Sequence, residues 1–315
     1  MIYHITEASS EKKLLDYLRK TLGLSRAEIT ALKKKENGIL LNGSHVTVRA
    51  VLHTGDTLSL DQKDRTEDEN ENILPRELPL SVLYEDEELI AVNKPFGMPT
   101  HPSHGHFDDT LANAIAFYFK EKGIPFVFRA VNRLDRDTSG IVLIAKTRAA
   151  AYQLSRQLTE GSVIKRYLAV TDGILDKSGC VIANIKRAQE SIITRVVCPE
   201  KEGQYAETRY TPIAWGENRT VLEVSPKTGR THQIRVHLSH IGHPICGDTL
   251  YGRPEGSDQI ARQALHCFSL TFRLPSSGRE ITVSAPLHPD MQTLVDRINE
   301  AAALKKGLCY TDEEN

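Results

Sequence analysis

The sequence predicts an α+β protein in two folded parts. A small α/β module occupies residues 1–62 and a larger domain with a mixed, mainly antiparallel sheet occupies residues 80–300; an acidic flexible linker at 63–79 joins them, and a polar tail fills 301–315. Three observations predict this. Short apolar runs bounded by Gly, Pro and Asn alternate with windows of helical period, the mixture expected of strands and helices around one sheet. Charge is partitioned: residues 1–60 hold 9 Lys/Arg against 6 Asp/Glu, residues 61–88 hold 3 against 11, and residues 89–299 carry a net +6. The chain, 315 residues with 40% hydrophobic and 26% charged, is long enough for one sizeable core and a small satellite.

In the module, Leu14, Leu15, Leu18 and Leu22 share one face of a helix over 11–22, and Gly23 stops it. Ser25-Arg-Ala-Glu28 is a capping box opening a second helix, with Ile29 and Leu32 inward and Lys33-Lys34-Lys35 at its end. Ile39 to Leu41, the turn Asn42-Gly43 and the alternating run from His45 to Val51 read as a hairpin, and Gly55-Asp56 turns into a last strand, Thr57 to Leu60. The polar stretch from Asp61 to Arg76 has too little apolar surface to pack, and it lacks the spacing of a calcium loop.

From Leu80 the larger domain begins. Val82 to Tyr84 and Leu89 to Val92 are strands around an acidic turn, and Asn93-Lys-Pro-Phe-Gly97 is a loop. Leu111 to Tyr118 and Ala149 to Leu158 are helices, and Val163 to Val170 is a strand placing Tyr167 on one face with Lys165 and Ala169. Residues 174–212 read as further antiparallel strands and loops. Near the C-terminal end, Thr231 caps a helix carrying Ile234, Leu238 and Ile241 on its buried face, ended by Gly242 and Pro244. His232, Arg235 and Ser239 then share another face, from which Arg235 can point at a carboxylate.

The chemistry concentrates in Phe128-Arg-Ala-Val-Asn-Arg-Leu-Asp-Arg-Asp-Thr-Ser-Gly140, followed by Ile141 to Ala145. Acids, arginines, a hydroxyl pair and a glycine between apolar runs make a site loop held by strands. Asp135, between Arg133 and Arg136, is expected to be ionised and suited to act as nucleophile or base. Thr138 and Ser139 can bond local backbone, and Gly140 permits the exit into the next strand.

Other chemistries find less support. The 5 cysteines are scattered without C-x-x-C spacing, so neither a disulfide framework nor a zinc site is indicated. His101-Pro-Ser-His-Gly-His106 offers three imidazoles, but Pro102 and Gly105 break regular spacing; a polar loop near the substrate is expected, and no metal. No apolar run is long enough to cross a membrane, and the first residues do not resemble a secretion signal, so a cytoplasmic protein is expected.

Arg133-Leu-Asp-x-x-Thr-Ser-Gly140 resembles the active-site signature of the RluA/RluD-type pseudouridine synthases. The similarity extends to Tyr84-Glu-Asp-x-x-Leu-Ile-x-Val-Asn-Lys-Pro-x-Gly97, to Lys165-x-Tyr167-Leu-Ala169, to Gly229-Arg-Thr-His-Gln-Ile-Arg-Val-His-Leu238 and to His243-Pro-x-x-Gly-Asp-x-Leu-Tyr-Gly252. The resemblance implies a pseudouridine synthase catalytic fold with a cleft along the sheet, in which Asp135 is catalytic, Tyr167 lies against the target base and Arg235 pairs with the aspartate. Many relatives have His where Asn132 stands. Residues 12–60 resemble the alpha-L RNA-binding module. The implied reaction isomerises a uridine to pseudouridine with no cofactor or metal. The partner is RNA, ribosomal RNA first and tRNA next, with no membrane, and a monomer is expected. Arg133 is a candidate to fill the space of the flipped uridine; Arg230, Arg26, Lys33, Lys34 and Lys35 are the remaining candidate RNA contacts.

Two other functions compete with this one. A haloacid-dehalogenase-like phosphatase would use D-x-D-x-[TV], which Asp135-Arg-Asp137-Thr138 approaches, but its strand should precede the first Asp, whereas here the apolar run follows Gly140. A non-catalytic ribosome-binding or RNA-binding protein would need only residues 1–60.

Overall fold

The computed structural model describes residues 1–62, 70, 72–189, 193–253 and 260–309. Its N-terminal part contains β1 (Ile2–His4), α1 (Leu14–Asp16) running into a wide turn at Tyr17–Thr21, α2 (Arg26–Lys34), β2 (Ile39–Leu41), β3 (Ser44–His45) and β4 (Thr57–Leu60). The strands form an antiparallel sheet in the order β1-β4-β2-β3, over a core that includes Tyr3, Leu14, Leu18, Leu22 and Leu58. Both bonds of the Ser25/Glu28 capping box are present, and the hairpin turns at Asn42 and Gly43, both at positive φ as a tight primed turn requires.

Two expectations for this part change. The first helix starts at Leu14, and its wide turn brings Tyr17 into the core while Leu15 is left exposed. The predicted strand from His45 to Val51 ends at His45, because the carbonyls of Val48 and Ala50 instead accept the free N–H groups of Leu15 and Leu14 at the start of α1.

The larger part contains β5 (Val82–Glu85), β6 (Leu89–Lys94), α3 (Leu111–Glu121), β7 (Ser139–Ala145), α4 (Arg148–Glu160), β8 (Ile164–Asp172), β9 (Gly179–Ile182), β10 (Asn184–Arg187), β11 (Arg195–Cys198), β12 (Glu207–Gly216), β13 (Arg219–Pro226), α5 (Gln233–His240), β14 (Leu265–Arg273), β15 (Glu280–Ser284) and α6 (Pro289–Cys309). The main sheet runs β5-β6-β7-β14-β8-β13-β12-β9, with β15 on β14; its pairs are antiparallel except β7 with β14. Strand β7 is buried along its whole length, as a central strand covered on both faces must be. β10 and β11 form a separate hairpin beside α5, sharing a small cluster with Ala206 and Val236. The mixed α+β architecture matches the expected fold class.

The parts touch. Ala149 of α4 belongs to the N-terminal core, the Tyr152 ring fills the space a side chain at Gly23 would occupy, and Arg148 pairs with Glu28 at 3.4 Å. The expected linker lies partly outside the described residues, at 63–69 and 71. Its remainder packs on the larger core: Ile73 and Leu78 lie against it, the Leu74 carbonyl accepts from Asn113 Nδ2 at 2.8 Å, and Asn70 Oδ1 accepts from the Phe128 N–H at 2.9 Å. Apolar side chains in a polar stretch thus fasten the end expected to be flexible. Similarly, the tail expected from residue 301 continues α6 through Cys309, since Ala301 to Lys306 are good helix formers; residues 310–315 lie outside the described residues.

Candidate active site

The loop from Asn132 to Thr138 leads into β7, and buried side chains satisfy its backbone. Asn132 tethers it to the strand, donating to the Ile141 carbonyl at 3.0 Å and accepting from the Leu143 N–H at 2.8 Å. Thr100 Oγ1 donates to the Leu134 carbonyl at 3.1 Å and accepts from the Leu134 N–H at 3.3 Å. Lys94, fully buried, donates to the carbonyls of Pro95, Met98 and Arg136 at 2.8, 2.7 and 3.0 Å. Burial pushes its pKa down to about 7, against the pull of Asp135 and Asp137. Arg262, forked onto Asp290, reaches the Asp137 carbonyl at 3.2 Å, and Gln263 donates to Thr138 Oγ1 at 3.1 Å. Ser139 Oγ bonds His266 Nδ1 at 2.9 Å. A loop whose polar groups are met on every side by buried partners has few ways to move.

Gly140 makes the exit from this loop possible. Its φ is +116°, and a Cβ there would lie 2.3 Å from the Cys267 carbonyl oxygen across the parallel pair. Only glycine allows β7 and β14 to approach so closely.

Asp135 sits at a cleft of about 380 Å³ lined also by His101, Lys165, Tyr167, Arg230 and Arg235. Its side chain is 19% exposed, so a ligand in the cleft can reach it. The expected pairing with Arg235 is present, Arg235 Nη1 donating to Asp135 Oδ2 at 3.0 Å. The stronger hold on Arg235 comes from Asp248, a residue with no sequence signal of its own for this role. Arg235 Nε and Nη2 donate to the two Asp248 oxygens at 2.7 and 2.8 Å, and Asp248 Oδ1 also accepts from the Leu250 and Tyr251 N–H groups. Burial alone would lower the arginine's pKa; Asp248 and then Asp135 more than offset it and raise it. The guanidinium is therefore a fixed cation with one edge locked by Asp248 and one nitrogen offered to Asp135.

The local arginines do not do this work. Arg136 turns away to fork onto Asp137, at 3.0 to 3.3 Å, and Arg133 is exposed on the cleft wall. The chain turns at Asp135, with the Thr138 N–H donating to its carbonyl at 3.1 Å, and the cation at its carboxylate comes from 100 residues away. The strand follows Asp135 rather than preceding it, which removes the phosphatase arrangement.

Tyr167 on β8 is buried with its face on the cleft, and burial, then the neighbouring Cys267, raises its phenol pKa so that it stays neutral. Lys165, on the same strand face, donates to the Thr228 carbonyl at 3.2 Å, and burial pushes its pKa down. The helix carrying Arg235 starts one residue later than expected. Its N-cap is His232, at φ 58°, rather than Thr231, because Gln233 Oε1 ties back to Thr228 Oγ1 at 2.6 Å and the Arg230 N–H at 3.0 Å. His232 Nε2 lies 3.9 Å from Asp135 Oδ2.

The remaining candidates are spread out. Arg230 is exposed at the cleft rim, its Nε donating to the Tyr205 carbonyl at 3.0 Å. Arg26, Lys33 and Lys34 are exposed on α2, but Lys35 is engaged by Asp61 at 2.9 Å. In the histidine loop, His106 pairs with Asp109 at 2.6 Å and His101 packs edge-on against Phe128. Among the described residues no helix is long and apolar enough to cross a membrane.

The family model for RNA pseudouridylate synthase matches residues 88–240. The chain is 41% identical over 275 residues to the uncharacterized RNA pseudouridine synthase YjbO of Bacillus subtilis, covering 87% of this chain and 95% of that protein. It is 37% identical over 283 residues to the ribosomal large subunit pseudouridine synthase D of Xanthomonas campestris, covering 85% and 83%. Among solved structures, human RNA pseudouridylate synthase domain containing 1 superposes with a TM-score of 0.57 at 28% identity, covering 66% of this chain and 84% of that one. With the loop, the cleft and these relatives in agreement, the chain belongs to the RluA/RluD-type RNA pseudouridine synthases and is an isomerase that converts uridine in RNA to pseudouridine.

Proposed function

We propose that Asp135 is the catalytic carboxylate and that the substrate is ribosomal RNA of the large subunit. The observation that carries the first part is the 3.0 Å contact between Asp135 Oδ2 and an arginine that Asp248 holds in place, at the base of an open cleft. Relatives named as ribosomal large subunit synthases support the second.

In this reading the target uridine leaves its helix and enters the cleft. Asp135 acts on the sugar, as nucleophile at the anomeric carbon or as base for the neighbouring 2′ proton, while the bond from N1 of uracil to that carbon breaks. The base turns without leaving and C5 bonds the anomeric carbon, displacing the Asp135 oxygen in the first route or with Asp135 returning the 2′ proton in the second; the C5 proton is then lost as N1 gains one. Arg235, donating to Asp135 Oδ2, keeps the carboxylate aimed. Tyr167, a neutral ring on the cleft wall, lies against the base and keeps water from the broken bond. No cofactor or metal enters this sequence of steps.

Arg133 and Arg230 flank the cleft and would meet the RNA there, with Arg133 a candidate to occupy the place of the flipped uridine. Residues 1–62 form the RNA-binding domain, with Arg26, Lys33 and Lys34 of α2 contacting phosphates; Lys35 contributes less because Asp61 already holds it. Residues 80–300 form the catalytic domain. The enzyme acts as a monomer in this reading, in the cytoplasm, where ribosomal RNA is met. Asp135→Asn nearly preserves shape while removing the charge. Purified variant should fold and bind RNA normally but yield no pseudouridine; turnover above trace would overturn the assignment. Pseudouridine mapping of total RNA from a deletion strain and its parent identifies the substrate, and unchanged large-subunit RNA would refute the ribosomal reading.

A further inference from the structure

We infer that His232 works as a neutral positioning residue for Asp135, fixed by the Tyr251 hydroxyl in the tautomer that carries its hydrogen on Nε2 and aims it at the carboxylate. This rests on the reading of Asp135 as the catalytic group and extends it to two residues outside that assignment.

The hydrogen bonds around Tyr251 favour one direction. The Arg195 backbone N–H, on β11, donates to the Tyr251 hydroxyl oxygen at 2.8 Å, and the same oxygen lies 2.8 Å from His232 Nδ1. With one lone pair engaged by the peptide, the phenolic hydrogen has a single acceptor among the described residues, His232 Nδ1. Donation from the phenol to Nδ1 satisfies the hydroxyl within the protein, and it leaves Nδ1 unprotonated with the imidazole hydrogen on Nε2. That nitrogen faces Asp135 Oδ2 across 3.9 Å, a gap that a small shift of either side chain closes to hydrogen-bond distance.

Neutrality matters at this position. The charged groups in direct contact here are two carboxylates, Asp135 and Asp248, and one cation, Arg235. An imidazolium would make the cluster net neutral and weaken Asp135 as a nucleophile or base, whereas a neutral N–H steadies the carboxylate without a second positive charge. Burial lowers the His232 pKa, opposed by Asp135 and Asp248 and reinforced by Arg235 and Arg195. The backbone is held for the purpose: His232 adopts φ 58°, a conformation few residues other than glycine take, and its ring packs edge-on against Tyr251 with centroids 5.7 Å apart. Tyr251 also lies under Arg235, whose guanidinium carbon is 5.1 Å from the ring centre. One tyrosine thus touches both groups that face Asp135.

The test uses the full chain labelled with 15N in histidine. Long-range 1H–15N correlation spectra at pH 7, assigned with a His232→Asn variant, should show His232 neutral with its hydrogen on Nε2. In Tyr251→Phe, which keeps the ring and loses only the hydroxyl, that single tautomer should give way to a mixture. The single-turnover rate at saturating RNA should fall about tenfold, the size of one lost hydrogen bond, with half-saturation unchanged. His232 found protonated on Nδ1, or as imidazolium, in the wild-type protein overturns the inference even if Tyr251→Phe does not fold. A folded Tyr251→Phe enzyme with the wild-type rate overturns it as well. An active Asp135→Asn enzyme would instead overturn the catalytic assignment and leave the tautomer result intact.

Discussion

Asp248→Asn separates the two jobs of the arginine clamp. Asp248 does not touch the cleft, yet its two oxygens hold Arg235 at 2.7 and 2.8 Å with side chains 0% and 5% exposed. The amide replaces one acceptor oxygen by a donor, which must face a guanidinium that has only donors. Removing one partner of a buried ion pair costs about 3–5 kcal/mol; because Arg235 keeps its bond to Asp135, the lower end, about 3 kcal/mol, is expected. For a domain of this size that corresponds to a fall in Tm of roughly 6–12 °C. The freed edge of Arg235 can swing, and a displacement of about 1 Å at a reacting group costs on the order of 10²-fold in rate. Thermal denaturation reads the first effect. Tritium release from RNA labelled at C5 of uridine, in single turnover at saturating RNA, reads the second. A variant with wild-type Tm and wild-type rate would show that Arg235 is aimed by something other than Asp248, and the clamp would be wrong.

Gly140→Ala should destabilise by at least about 2 kcal/mol through the close approach to Cys267 and the positive φ, whereas Gly105→Ala, at φ +79° with open space around it, should cost less; denaturant titration of both compares clash with strain. His266 gives a pH signature. Burial pushes its pKa down to about 4, so as pH falls below about 6.5 the unfolded chain takes up a proton that the folded one refuses, and stability present at pH 7 is lost toward pH 4. Between pH 7 and 5 this amounts to about 2 kcal/mol by urea unfolding, and it should vanish in His266→Asn; equal pH dependence in both proteins would refute it. Deleting residues 1–62 should raise half-saturation by RNA about 10²-fold and flatten its salt dependence, while the single-turnover rate at saturation changes little. Loss of turnover at saturation in a folded truncated enzyme would place the module in the active site.

Much of this protein follows from local rules that its sequence states directly. The capping box at Ser25, the primed turn at Asn42-Gly43, the strand through Tyr167 and the pattern around Asp135 each depend on residues a few positions apart, so short windows suffice to read them. The pairing of Asp135 with Arg235 was also legible, but through family resemblance, since no spacing connects residues 100 apart. What only the tertiary structure decided are the partners that converge from distant strands and loops. Asp248 and Lys94 lie in recognisable motifs whose local pattern does not reveal their partners, and Thr100, Arg262 and Gln263 carry no local signal at all. Their function is to satisfy backbone and charge around one loop, and that need exists only once the chain has closed over it and removed the water. The same closure turned Arg133 and Arg136 from supposed partners of Asp135 into surface groups, because which side of a loop faces the core is set by the strands it joins rather than by its own residues.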